Sequence, residues 1–197
     1  MEATRLERFD KIVEMGKEGQ VALNEYWKDF SLYYSFEYWL MAVLLIAPII
    51  YVLFKIDKNK TFEIGFYGYS VHVVFGYIDL YGRNMGFWNY PIPVIPVLPG
   101  ISIDSSFVPV IFMLVYQWTL KHKKNYYLYA FITSLVLSYA FKPILVMLGV
   151  FRLYGNVKYF HLLICYIIVI FVSKFLTNIF LWLKRKYANS TGEINGA

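Results

Sequence analysis

The sequence predicts an all-α fold: an integral membrane bundle of five transmembrane helices, with an N-terminal amphipathic helix and a Pro-rich, re-entrant-like loop. Three observations lead there. Hydrophobic residues make up 59% of the 197 residues and charged residues only 16%, with a mean hydropathy of +0.49. A soluble domain is about half apolar and a quarter charged, and a globule of this length could not hide the excess. This excludes a soluble enzyme, a disordered chain and a secreted disulfide scaffold. The second observation is a series of apolar runs near the ~20 residues that cross roughly 30 Å of hydrocarbon. The third is that the basic residues gather in short clusters between those runs, as orientation signals do.

The first 36 residues read as an interfacial arm. Leu6, Phe9, Ile12, Val13 and Gly16 recur at helical spacing with charges between them, and Val21, Leu23, Tyr26, Trp27 and Phe30 follow the weak point Gly16–Gly19. The arm reads as lying on the outer leaflet, with a partner-binding or oligomerising role as the sharper alternative; it does not read as a signal peptide. Tyr33, Tyr34, Tyr38 and Trp39 form an aromatic belt where it meets the first span.

The membrane domain is expected over 37–186. Its spans are Tyr38–Phe54, Thr61–Tyr81, Phe107–Leu120 (extended from about Ser102), Tyr126–Phe151 and Phe160–Leu183. Lys55, Lys58 and Lys60, then Lys121, Lys123 and Lys124, then Lys184, Arg185 and Lys186 fall on one side. Arg83, Arg152 and Lys158 fall on the other. Nine against three makes the first side cytoplasmic, so the N-terminus is outside the cell membrane and the C-terminus inside. Residues 187–197 are polar and read as a disordered tail. Cys165 lies within an apolar run and reads as inert packing. With five spans and no internal repeat, a single chain does not divide into two inverted halves.

Polar residues inside the spans are costly and mark the candidate site. His72, Gly76, Asp79 and Arg83 step by four, three and four along the second span and so share one face. Gly65, Gly68, Gly76 and Gly82 allow close packing, and Tyr67, Tyr69, Tyr77 and Tyr81 offer hydroxyls across it. The following connection holds Tyr90 with Pro91, Pro93, Pro96 and Pro99, which forbid a helix. Its apolar residues suit an outer interfacial cap. Asp104 has the position of a helix N-cap, with a proton donor or ligand anchor as the alternative. Pro143 is expected to kink the fourth span near Tyr139, and Lys142 to snorkel or to pair with Asp79 or Asp104. Lys174, Ser173, Thr177 and Asn178 form an inner polar strip read as structural.

From these residues, Asp79, Arg83, Tyr90, Asp104 and Lys142 are expected to surround one neutral, outward-facing ligand-binding pocket, while His72 and Gln117 serve as polar helix-packing groups. No cofactor and no metal is expected: no His pair at i,i+4 with a Glu occurs, and neither do a P-loop, GxGxxG or GxSxG. Nucleic acid is excluded as a partner by the lack of a long basic stripe. Membrane lipid, a lipid or isoprenoid ligand and a second copy of the chain are the expected partners. The leading function is non-enzymatic binding of a lipid, small ligand or membrane partner. A membrane enzyme acting on an isoprenoid or other lipid, with Asp104 or Asp79 as acid, and a small-solute or ion permease are the alternatives.

The strings Tyr90-Pro91, Pro96, Asp104, Pro109-Val110 and Tyr116-Gln117 resemble a pattern in a group of small multi-span membrane proteins of spore-forming Firmicutes. A second block, Phe141-Lys142-Pro143, Gly149-Val150-Phe151, Leu153-Tyr154 and Lys158-Tyr159, resembles the same group, with Lys142 standing where an acidic residue is expected. The resemblance spans about residues 40–180 and implies a multi-span fold and a membrane location. The rhythm from Trp88-Asn89-Tyr90 to Gly100 and Asp104 is also similar to membrane lycopene-cyclase-type proteins, though serine follows Asp104 where those carry an acidic pair. That likeness implies acid-initiated chemistry on an isoprenoid, steadied by aromatic rings.

Overall fold

The computed structural model describes residues 4–30 and 33–194, with side chains described as far as Tyr187. The chain is mostly helical. In order it forms α1 (Arg5–Phe30), α2 (Phe36–Lys55), α3 (Thr61–Asn84), β1 (Trp88–Asn89), α4 (Val108–His122), α5 (Tyr126–Val136), α6 (Lys142–Met147), β2 (Arg152–Leu153) and α7 (Tyr159–Ile194). A π-helical turn, Ile103–Phe107, leads into α4, and a second, Leu137–Phe141, joins α5 to α6.

Among the described residues four helices are long and apolar enough to cross a membrane: Phe36–Lys55, Ile103–His122, Tyr126–Met147 and Tyr159–Tyr187. The remaining long helix of the bundle, α3, is less apolar because it carries Glu63, Asp79 and Arg83. It sits centrally, packing against α7 and α4, and it buries Ile64, Tyr67, Val71, Phe75 and Asp79. Its polar groups therefore face other helices. The core is one cluster in which Tyr67, Phe75, Phe112, Tyr116, Tyr126 and Tyr166 from α3, α4, α5 and α7 meet. Phe75 stacks on Tyr166 at 5.2 Å between centroids.

Small residues let the elements approach. A Cβ at Gly68 would overlap the Met113 thioether, and one at Gly82 would overlap the Trp88 ring. Gly65 and Gly76 have no neighbour within 4 Å of that position and serve no close contact. Tyr69, Tyr77 and Tyr81 are exposed; of the four tyrosines expected to bond across α3 only Tyr67 does so, at 2.6 Å to the Tyr126 hydroxyl. The reason is angular: only Tyr67 falls on the face that α4, α5 and α7 cover.

Proline chemistry shapes the fourth helix through a change of helix type next to Pro143. Pro143 opens α6, and the π-helical turn just before it holds Tyr139. The extra residue accommodates the proline that would otherwise clash in an unbroken helix. Phe141 of this turn stacks on Phe107 of the other, at 4.3 Å between centroids.

At the end of the bundle that follows α3, two short strands pair antiparallel, Trp88 with Leu153 and Asn89 with Arg152. They tie the Pro-rich connection to the turn after α6. The ladder lies outside the all-helical expectation, because two-residue strands leave no periodic signal. Trp27 of α1 donates its indole N–H to the Pro93 carbonyl at 2.8 Å, yet α1 buries none of its residues. At the other terminus the backbone of α7 continues to Ile194, into the segment expected as a disordered tail. Lys184-Arg185-Lys186-Tyr187-Ala188 contains no helix breaker. Residues 195–197 of that tail lie outside the described residues.

Candidate functional site

The five residues expected around one site do converge. Asp79, 2% exposed, is the centre. Its Oδ2 accepts the Arg83 Nε–H at 2.7 Å. Its Oδ1 accepts the Trp88 indole N–H at 2.8 Å and the Tyr90 hydroxyl at 2.9 Å. Helical spacing supplies Arg83 one turn on, and the bend after α3 folds Trp88 and Tyr90 back over the carboxylate. Burial pushes the Tyr90 hydroxyl well above its ordinary range, and the carboxylates of Asp104 and Asp79 push it the same way. Tyr90 thus remains a neutral donor.

Lys142, 2% exposed, enters from the start of α6. Contrary to the expectation from sequence, it neither snorkels nor forms a direct ion pair; it points into the bundle. Its Nζ stands 3.5 Å from the Tyr90 hydroxyl and 3.7 Å from the centroid of the Phe151 ring. The tyrosine hydroxyl therefore sits between a buried ammonium and a buried carboxylate. The reason is steric: Pro143 and the π-helical turn orient Lys142 inward, where Tyr90 already occupies the space beside Asp79.

Asp104 does not cap a helix. Helical backbone already begins at Ile101, and the Asp104 N–H bonds to the Gly100 carbonyl at 2.9 Å. Its carboxyl is 7% exposed, and Oδ1 is buried with no hydrogen-bond partner among the described residues. Gly100 is where the acids meet: a Cβ there would overlap Asp104 Oδ2 and come within 2.7 Å of Asp79 Oδ2. Only glycine leaves room for both carboxyl groups. His72 belongs to the same neighbourhood, with Nδ1 2.9 Å from the Asp104 carbonyl. Two basic side chains, Arg83 and Lys142, thus share one neighbourhood with two carboxyl groups, Asp79 and Asp104.

The expected open pocket is not at the charges themselves. Asp79 and Lys142 line a cavity of about 10 Å³ with Phe75, Trp88 and Tyr166, room for about one water. Beside it, next to the β1–β2 ladder, lies a larger groove of about 610 Å³. Its walls are the aromatic residues Tyr81, Phe87, Trp88 and Tyr154, with Asn156 and His161 as polar groups. Ile78, Trp88 and Cys165 line both spaces. Aromatic side chains from the β1–β2 ends fill the volume above the acids, which is why the opening moved sideways.

Gln117 acts far from this cluster. Its Oε1 accepts the Asp57 N–H at 2.8 Å and its Nε2 donates to the Lys55 carbonyl at 3.0 Å, closing the end of α2. Near it is a second polar group that sequence reasoning treated as a structural strip. Lys174 donates to the Tyr116 hydroxyl at 2.8 Å, and that hydroxyl donates to Glu63 at 2.5 Å. Lys174 also lies 4.3 Å from the Tyr116 ring centroid. The bundle thus repeats one arrangement at both ends: lysine, tyrosine hydroxyl, carboxylate. The signal available in the sequence was one acid and one lysine, Glu63 and Lys174, set among apolar residues on different helices.

Among the described residues no group of three or more His, Cys, Asp or Glu side chains is placed to hold a metal ion. Comparison of the chain with protein-family models, with curated proteins and with solved structures gives no match in any of the three.

Proposed function

We propose that the chain is a five-span protein of the cell membrane, N-terminus outside and C-terminus in the cytoplasm, that binds a lipid or small amphipathic ligand in the groove beside the β1–β2 ladder, the outer groove in this orientation. The fifth span is α3, about 36 Å long at 1.5 Å per residue, whose charges are compensated within the bundle. In the connections after α2 and the C-terminal flank, nine basic residues against three support the orientation; the five of α1, Arg5, Arg8, Lys11, Lys17 and Lys28, lie on the side of the three. The exposed Leu6, Phe9, Ile12 and Val13 of α1 support an arm lying on the outer leaflet.

One observation carries the binding reading. A groove of about 610 Å³ shares the Trp88 wall with the cavity that Asp79 and Lys142 line. A bound molecule would rest its apolar body on Tyr81, Phe87 and Tyr154, and its polar group would meet Asn156 and His161. Trp88 couples the groove to the charges, because its ring forms the wall while its N–H holds Asp79.

Filling the groove tests this. Ile164 lines it and is 40% exposed, so Ile164→Trp adds bulk without touching the charge cluster. Native mass spectrometry of the full chain after mild extraction should find a co-purified lipid in the wild type and its loss in the variant, at unchanged melting temperature. Retention of the same lipid at the same stoichiometry by Ile164→Trp would remove the groove as the site.

A further inference from the structure

The opposite end of the bundle carries an unassigned groove of its own. It has a volume of about 420 Å³ and lies between the start of α3 and the end of α7. Phe62, Phe66, Phe180 and Leu181 give it an apolar body, and Lys60 and Lys184 line it as well. Phe66 and Phe180 meet across it at 4.7 Å between centroids. Phe62, 89% exposed, also lines an adjoining groove of about 600 Å³ that holds Lys58.

We infer that this groove takes an anionic phospholipid of the cytoplasmic leaflet, its phosphate at Lys60 and Lys184 and an acyl chain along Phe62, Phe66 and Phe180. Three observations commit it to that occupant. The first is charge. Lys58, Lys60 and Lys184 are exposed here, and the one carboxylate in the groove, Glu63, is turned onto Tyr116 with Lys174 behind it. The surplus is therefore positive. The second is form. Apolar aromatic walls continue from the lysines along α3 and α7, which suits a headgroup joined to a chain and not a free anion. The third is the beginning of α3, where no side chain caps the helix, so its first N–H groups add to the attraction for a phosphate. The inference goes beyond the outer groove and shares with it only the membrane placement.

The test is a lipid titration of the full chain in detergent, read by native mass spectrometry. The lipids are dioleoyl-phosphatidylglycerol and dioleoyl-phosphatidylcholine. The wild type should prefer phosphatidylglycerol. Lys60→Gln with Lys184→Gln should weaken phosphatidylglycerol binding by about fivefold per lysine and leave phosphatidylcholine unchanged. Lys121→Gln with Lys123→Gln, on the same side but outside the groove, should change neither. Phe66→Trp, which fills the groove, should weaken both lipids. Wild-type affinity in the Lys60/Lys184 variant would overturn the proposal, and so would an equal loss in the Lys121/Lys123 control. Displacement of phosphatidylglycerol by glycerol phosphate at equal concentration would overturn the lipid and leave a soluble anion. Because Ile164→Trp lies at the other end, failure here and failure of the outer groove are separate results.

Discussion

Asp79→Ala will cost the fold about 3–5 kcal/mol, the usual penalty for removing one partner of a buried charge arrangement. The carboxylate accepts from Arg83, Trp88 and Tyr90. Its loss leaves the Arg83 guanidinium, the indole N–H and the Tyr90 hydroxyl without this acceptor, and leaves Arg83 and Lys142 with Asp104 as the one remaining carboxyl group of the cluster. Hydrogen bonds to charged groups contribute about 1.5–3 kcal/mol each, but the three share one acceptor and do not add. The direction of a rescue is specific. Lys142→Met removes the buried ammonium while keeping the volume and the contact with the Phe151 ring, so Asp79→Asn with Lys142→Met should recover part of the stability that Asp79→Asn alone loses. Melting of the detergent-solubilised chain checks both. A double variant no more stable than Asp79→Asn would show that Lys142 and Asp79 are not energetically linked through Tyr90.

Tyr116→Phe is expected to cost about 2–3 kcal/mol, the scale of hydrogen bonds to charged partners. The hydroxyl it removes accepts from Lys174 and donates to Glu63, and the ring stays in place against Tyr67 at 4.5 Å between centroids. The loss therefore isolates the polar link from the packing. Two opposite charges then face each other across a gap with no group between them. Glu63→Gln in the Tyr116→Phe background should add little further loss, since the link is already broken. An additive loss in the double variant, again read by melting, would mean that Glu63 and Lys174 have independent roles.

Much of this architecture was legible in the sequence because helical periodicity and membrane thickness are strong constraints. The apolar runs gave the four long apolar helices to within a few residues, and the step of four, three and four put His72, Asp79 and Arg83 on one face of α3. The cost of isolated charges within apolar helices implies that Arg83 and Lys142 share a neighbourhood with Asp79 and Asp104. What the sequence did not give were the features set by tertiary packing. Asp104 reads as a cap because serines and an apolar run follow it, but Gly100 lets the helix begin earlier and turns the carboxyl toward Asp79. The β1–β2 pairing depends on two loops distant in sequence that meet at one end of the bundle. The inner link of Lys174, Tyr116 and Glu63 joins three helices, and no single-helix pattern announces it. The site was expected as an open pocket, and it closed because Trp88 and Tyr90 fold down onto the acids.

In the proposed orientation the charge cluster lies beneath the outer membrane surface. Single cysteines at Asn156 and His122, each in a Cys165→Ser background, report it directly. Intact cells are exposed to a membrane-impermeant maleimide, and a second portion is labelled after permeabilisation. Asn156→Cys, at the rim of the outer groove, should label in intact cells. His122→Cys, in the basic cluster at the end of α4, should label only after permeabilisation. Labelling of His122→Cys in intact cells, with Asn156→Cys protected, would invert the topology and contradict the account.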